Sequence, residues 1–240
     1  MTNPGFELFD QVESWIFDLD NTLYPASSAV FDQISRNMTA FIAEYFNIAP
    51  DAAWTRQRDF FMRYGTTLRG LMLEHDVDPE PFLEYVHKID VGMVAENPIL
   101  AAQLARLPGR KLVFTNASRV HAARVLERIG IGHHFEEIFD IAAADYLPKP
   151  DKASYALMLQ RHQVSADRAC MIEDIAANLE PAKALGMATV WLKGEMDWAR
   201  PKPGNAAPSY IDFVADDLGT WLEGVIQRRA SKSPNPVDRA

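Results

Sequence analysis

The sequence predicts a doubly wound α/β domain interrupted by a helical insertion, and two patterns carry that prediction. Short apolar runs without polar alternation recur at residues 15–17, 111–115, 138–142, 169–172 and 188–191, as expected of strands covered on both faces of a parallel sheet. Helical periodicity lies between most of them, and repeated strand and helix alternation is the pattern of α/β domains.

The first run, Trp15 to Phe17, leads straight into Asp18 and Asp20. Residues 27–97 then break the alternation and read as helices only. Ser27 or Ser28 can cap a helix in which Phe31, Ile34, Met38, Phe41, Ile42 and Tyr45 recur at helical spacing, and amphipathic stretches follow at 54–64, 68–74 and 82–86. Past the second run, residues 118–129 place Val120, Ala123, Leu126 and Ile129 on one stripe, with Gly130 positioned to end the helix. Pro181 marks the start of the helix after the fourth run. The Pro-, Gly- and Ala-rich segment 193–209 reads as a long loop before a last strand at 211–215, and the polar terminus SKSPNPVDRA reads as a frayed tail. The expected organisation is a core of residues 1–26 and 96–229, a helical insertion of residues 27–95, and a disordered tail of residues 230–240.

At 240 residues and 48% hydrophobic content the chain can bury a full core. It carries 24 basic and 33 acidic residues, a formal net charge of -9, with no basic cluster that would track a phosphate backbone. Nucleic acid polymers are therefore not expected partners. A single cysteine, Cys170, forms no internal disulfide and fits a reducing, cytoplasmic setting. The N-terminal stretch has neither a basic leader nor an apolar segment, and no run approaches the ~18 apolar residues of a membrane span. No membrane association is expected.

Four stretches carry chemistry. In SWIFDLDNTLYP, Asp18 and Asp20 stand two residues apart at a strand end, so both can aim at one point. In open α/β sheets that point is the ligand crevice beyond the carboxyl ends of the strands. Adjacent carboxylates repel unless a cation or shared proton relieves them. A magnesium ion on Asp18 would do so and leave Asp20 as a proton carrier, whereas two solvated loop aspartates are the plainer explanation of the pair taken alone. In LVFTNAS, the Thr115 hydroxyl and free amides at a helix start form an anion site, or Asn116 or Ser118 simply caps the helix. In DYLPKPD, Lys149 lies between two prolines in an extended loop, able to neutralise phosphate oxygens or to remain a surface charge. In CMIEDIAANLEPAK, a strand runs into Glu173 and Asp174. Asp174 could complete a magnesium site, because magnesium takes one or two carboxylates and keeps several waters. All four stretches end successive predicted strands, so together they describe one crevice suited to stabilising a transferring phosphoryl group.

The ordered set DxDxT (Asp18, Asp20, Thr22), TN (Thr115, Asn116), KP (Lys149) and ED with a later Asn (Glu173, Asp174, Asn178) resembles the haloacid dehalogenase-like hydrolase superfamily over essentially the whole core. The resemblance implies a Rossmann-like core with a small α-helical cap. It implies that Asp18 attacks phosphorus to form an aspartyl-phosphate and that Asp20 serves as acid and then base, its backbone carbonyl helping to hold Mg2+. Thr115, the Asn116 amide and Lys149 would hold phosphate oxygens. Asp174 would be the second side-chain metal ligand, with Thr22, Glu173 and Asn178 supporting it. Asn178 stands where many relatives carry an aspartate. Dehalogenases of the superfamily lack an acid at position 20, which favours phosphoryl transfer.

Within the insertion, RYGTTLRGL with DNTLYP and YVHKID is similar to the pyrimidine 5′-nucleotidase group. That similarity implies a small phosphorylated metabolite as substrate, a pyrimidine nucleoside 5′-monophosphate such as UMP or CMP. Alternatives are a sugar phosphomutase, a phosphatase of sugar phosphates, phosphoglycolate or lysophosphatidate, and a phospho-ligand binding module without turnover. Thr66, Thr67 and Arg69 either read the base or ribose or merely start a helix. Arg119 and His121 could approach the same substrate, though nothing local separates this from surface exposure. His133 and His134 lack metal-ligand spacing to further acids. Cys170 is expected in the core, Trp191 in packing, and Trp198 in a loop where it could stack on a base.

Overall fold

A computed structural model describes residues 5–193 and 207–232. Six strands form one parallel sheet: β1 (Ser14–Phe17), β2 (Arg110–Phe114), β3 (Glu137–Phe139), β4 (Ala169–Glu173), β5 (Ala188–Leu192) and β6 (Phe213–Ala215), in the order β3-β2-β1-β4-β5-β6. The order reverses at β1, which pairs with β2 on one side (Phe17 opposite Val113) and with β4 on the other (Phe17 opposite Ile172). Such a reversal opens a crevice at the carboxyl ends of the central strands, because the connecting chain leaves in opposite directions there.

β1, β4 and β5 are buried along their whole length, which explains their unbroken apolar sequences. Trp15 and Phe17 face a core built with α5 (Pro98–Arg106), α6 (Arg119–Ile129) and α9 (Leu218–Lys232). Ile16 faces the opposite core, with Tyr155 and Met158 of α7 (Lys152–His162) and Leu179 and Ala182 of α8 (Leu179–Ala184). Between β1 and α5 the long elements are helices only: α1 (Val30–Phe46), α2 (Pro50–Tyr64), α3 (Thr67–His75) and α4 (Pro79–Val86). Among the described residues no helix is long and apolar enough to cross a membrane.

Several local expectations shift. Neither Ser27 nor Ser28 caps α1; residues 26–28 form a 3-10 turn, and Ala29 enters the helix from the left-handed region without a side-chain cap. The third strand stops at Phe139, because Asp140 accepts from the backbone N–H groups of Arg119 and Ala143 and so closes a turn in place of extending the ladder. The buried stripe of α6 consists of His121, Ala122, Val125, Leu126 and Ile129, leaving Val120 71% exposed. The spacing admits either stripe, and contact with the sheet selects this one. α9 continues to Lys232, held by ion pairs of Arg228 and Lys232 with Asp10. Trp198, most of the expected 193–209 loop and residues 233–240 lie outside the described residues.

Within α3, Gly70 allows a close crossing with α2. A methyl group at Gly70 would come within 2.5–2.7 Å of the Phe60 ring and Cβ in α2, and Phe60 is buried with little room to move. Gly70→Ala is therefore expected to destabilise the protein by about 1–3 kcal/mol through overpacking, measured as a lower midpoint in urea. A variant as stable as wild type would show that α2 and α3 separate freely.

Candidate active site

β1 delivers Asp18, whose N–H still bonds to Ile172 O at 2.9 Å and so continues the ladder by one residue. The chain then turns, with Thr22 and Leu23 N–H both bonding to Leu19 O. Asp20 thus lies in a turn and not in a strand, and two-residue alternation does not set its direction. Its carboxylate is aimed at α6, where Oδ1 accepts from Tyr24 OH at 2.5 Å and from His121 Nε2 at 3.0 Å.

β4 delivers Glu173 and Asp174. Side-chain oxygens of Asp18, Glu173 and Asp174 lie within 4.8 Å of one another, all three residues buried. Into this cluster the loop after β3 inserts Lys149, itself only 2% exposed. Its ammonium donates to Asp18 Oδ1 at 2.6 Å, Glu173 Oε2 at 2.7 Å and Phe114 O at 2.8 Å, which uses all three of its protons. Lys149 is thus no surface charge.

The supporting residues explain why the lysine is held there. Asn116 brackets the Lys149 backbone, accepting from its N–H at 2.8 Å and donating to its carbonyl at 3.3 Å. The helix α6 is capped instead by Ser118, whose Oγ accepts from His121 N–H. Thr115 is buried at the end of β2, its Oγ1 accepting from Ala117 N–H. Asn178 donates to Glu173 Oε1 at 3.0 Å, and Ile175 N–H reaches the same oxygen, so Glu173 is saturated by partners. Trp191 donates its indole N–H to Asp174 O, a packing role at the end of β4. Thr22 is buried with its hydroxyl unpartnered among the described residues. Backbone N–H groups of Leu19, Asp20 and Asn116 form no backbone hydrogen bond among the described residues.

Three buried acids around one ammonium leave an excess of negative charge. Burial, with Glu173 adding to it, pushes the Asp18 carboxyl up to about 7 against the pull of Lys149. Burial and the charges of Glu173 and Asp18 raise Asp174 as well. Burial alone would lower the Lys149 ammonium, but Asp18 and Glu173 more than offset it, so it stays charged. Asp20 goes the other way: burial raises it, but the charge and hydrogen bond of His121, with Tyr24, bring it below the usual range. A divalent cation fits this chemistry. Asp18 and Asp174 offer carboxylate oxygens, the donors magnesium prefers, whereas Glu173 is already committed and the Asp20 carboxylate faces elsewhere.

In the insertion, Gly65 sits over the lysine loop: a Cβ placed on it would lie 3.5 Å from Lys149 O and 3.7 Å from Pro148 and Pro150. Thr66 caps α3 by accepting from Arg69 N–H, and Thr67 is buried with its hydroxyl toward Gln57 O. Both threonines thus serve the insertion's own structure, while Arg69 is half-buried at the same helix start. Arg119 turns away to Glu137 and Ile138 O. Cys170 is buried within β4, its thiol pushed up by burial. His133 and His134 occupy a short 3-10 turn outside the acid cluster.

His87 escapes the sequence reading, and His121, for which surface exposure was the alternative, is instead turned inward. His121 is fully buried against Asp20. His87, at the end of α4, stacks on it with ring centroids 4.5 Å apart and planes at 13°. Burial lowers the His87 imidazole to about 3, so it is neutral near pH 7. A histidine one turn into the helix after TN was the available signal, but only the tertiary fold aims it.

A model of the haloacid dehalogenase-like hydrolases matches residues 15–186. The chain belongs to that family. Phosphoglycolate phosphatase of Vibrio cholerae is 35% identical over 114 residues, 47% of this chain and 47% of the relative. Phosphate metabolism protein 8 of Saccharomyces cerevisiae is 26% identical over 194 residues, 73% of this chain and 60% of the relative. The chain therefore spans less than two thirds of either relative's length. Among solved structures, a HAD phosphatase from Thermococcus onnurineus superposes with a TM-score of 0.59 at 16% identity, covering 88% of this chain and 97% of that one. A magnesium-bound HAD hydrolase from Bacillus subtilis gives 0.57 at 15%, covering 91% and 98%. At these identities the structural likeness shows the shared fold.

The raised Asp18 carboxyl has a stability consequence. Without metal, the folded protein holds the Asp18 proton more tightly than the unfolded chain, where an aspartate titrates near ~3.9. Its contribution is fully present below that value and is lost as pH rises through about 7. In chelator, the Tm of wild type relative to Asp18→Asn, which cannot titrate there, should fall from pH 4 to pH 7.5; a rising difference would mean that the Asp18 carboxyl is lowered. Added Mg2+ should raise the wild-type Tm most at the upper end of that range.

Proposed function

We propose that this protein is a magnesium-dependent phosphatase of small phosphate monoesters, with Asp18 as nucleophile. The observation that carries this reading is the position of Asp18 at the sheet's reversal point, beside the Lys149 ammonium and the Asp174 carboxylate. Residues 27–95 act as a helical cap on a core formed by residues 1–26 and 96–229.

Asp18 and Asp174, with the Asp20 backbone carbonyl, would hold an Mg2+ ion, which when bound would supply positive charge against the phosphate oxygens. Lys149, the Thr115 hydroxyl and the backbone N–H groups near Asp18 and Asn116 orient those oxygens and stabilise the charge that spreads over them in transfer. Asp18 attacks phosphorus as the ester oxygen leaves, forming an aspartyl-phosphate. Asp20, after taking up a proton from solvent, protonates the leaving oxygen; ionised again by that transfer, it then takes a proton from the water that hydrolyses the intermediate. Asp20 Oδ1 is engaged by Tyr24 and His121, which leaves Oδ2 as the oxygen for both transfers.

For the substrate we favour pyrimidine nucleoside 5′-monophosphates, supported by the sequence RYGTTLRGL around the turn that covers the lysine loop. Arg69 is the residue there to contact the base or ribose. Phosphoglycolate is the second reading, supported by the Vibrio cholerae relative's name.

Phosphate release should be measured across UMP, CMP, their deoxy forms, purine monophosphates, phosphoglycolate, sugar phosphates and lysophosphatidate, with Mg2+ and with chelator. Expected are metal-dependent release, highest kcat/KM for UMP and CMP, and a loss of about 10³-fold or more in Asp18→Asn. Preference for phosphoglycolate would replace the pyrimidine reading, isomerisation without net release would mean a mutase, and full activity in Asp18→Asn would overturn the mechanism.

A further inference from the structure

The Asp20 carboxylate is gripped on one side only. Tyr24 OH and His121 Nε2 both donate to Oδ1, and Oδ2 has no partner among the described residues. Two donors on one oxygen fix the rotation of the carboxylate, since swinging either oxygen away breaks both bonds. Tyr24 follows four residues later in the same turn, but His121 comes from a different element, 101 residues on.

His121 is a costly residue where it stands. It is fully buried, and its Nδ1 has no hydrogen-bond partner among the described residues. A phenyl ring would fill the same space without burying an unpaired nitrogen. The bond to Asp20 is what a histidine contributes there.

The ring is also braced from outside its own helix. His87 stacks face to face on it, and His87 Nδ1 lies 2.9 Å from Ser118 Oγ, the hydroxyl that caps α6. The chain returning from the insertion is fastened along the same helix: Arg124 donates to the carbonyls of His87 and Ile89, and Arg128 to that of Gly92. The segment leaving the insertion thereby carries the ring that seats His121.

We propose that His121 is a positioning residue that holds Asp20 with Oδ2 toward the leaving-group oxygen, and that His87 seats His121 by stacking from the insertion's exit. The inference rests on the phosphatase reading for its kinetic consequence, though not for its geometry. A misaimed acid matters most when the leaving alkoxide is poor, and little when it is a stable phenolate that departs without a proton.

The experiment compares kcat/KM for an alkyl phosphate and for p-nitrophenyl phosphate in wild type, His121→Phe, His121→Gln and His87→Ala, all with Mg2+. His121→Phe should lose about tenfold or more on the alkyl ester beyond its loss on the aryl ester, within the range general acid catalysis supplies. His121→Gln, whose amide can still donate, should recover most of that difference, and His87→Ala should show a smaller loss of the same selective kind. Equal losses on both esters, or no recovery with glutamine, would make His121 merely structural and overturn the proposal. If the phenylalanine variant does not fold, His121→Asn, too short to reach Asp20, is judged by the same criterion. A crystal structure of the variant gives an independent readout: a rotated Asp20 carboxylate supports positioning, and an unmoved one refutes it. Wild type inactive on both esters would instead defeat the phosphatase reading, with the Asp20 rotation still deciding the role of His121.

Discussion

One buried ammonium organises the crevice. Lys149 spends its three protons on Asp18, Glu173 and Phe114 O, and it thereby joins the ends of β1, β2 and β4 through a loop that follows β3. Removing water from such charges costs several kcal/mol per ion unless every donor and acceptor is matched. Here the matching extends outward: Asn178 and Ile175 N–H complete Glu173, and Asn116 fixes the Lys149 backbone. The arrangement is satisfied at the lysine and deficient at the acids. Three carboxyls face one cation, so Asp18 and Asp174 are driven toward protonation, and a divalent cation is the natural counter-charge.

Asp20 follows a different logic although it is only two residues away. The turn closed on Leu19 O lifts it from the acid cluster and gives it to Tyr24 and His121. The two aspartates are thus held in opposite electrostatic states by their neighbours, one raised and one lowered. Those states belong to the metal-free crevice: a cation on Asp18 would ionise it for attack, and Asp20 would have to take up a proton before it could act as an acid. The insertion takes part at two places. Gly65 lies against the lysine loop, and His87 lies against His121, so its entry to α3 and its exit from α4 both touch the structure around the crevice.

Sequence alone determined the fold class, because strands buried on both faces must be apolar throughout and the helices between them must be amphipathic. It also marked which strand ends carry acids, a hydroxyl or a lysine, since those residue types interrupt apolar runs and stand out locally. The tertiary structure decided what those side chains do. The two-residue spacing of Asp18 and Asp20 suggested a shared target, but the strand ends at Phe17 and the turn sends the carboxylates to different partners. Glu173 joins the acid cluster through Lys149, a contact spanning 24 residues, and His121 reaches Asp20 across 101. The helical period of α6 allowed two apolar stripes, and only packing on the sheet turned His121 inward. Local sequence encodes periodicity and chemical type; the direction of a polar side chain depends on partners brought in from other elements.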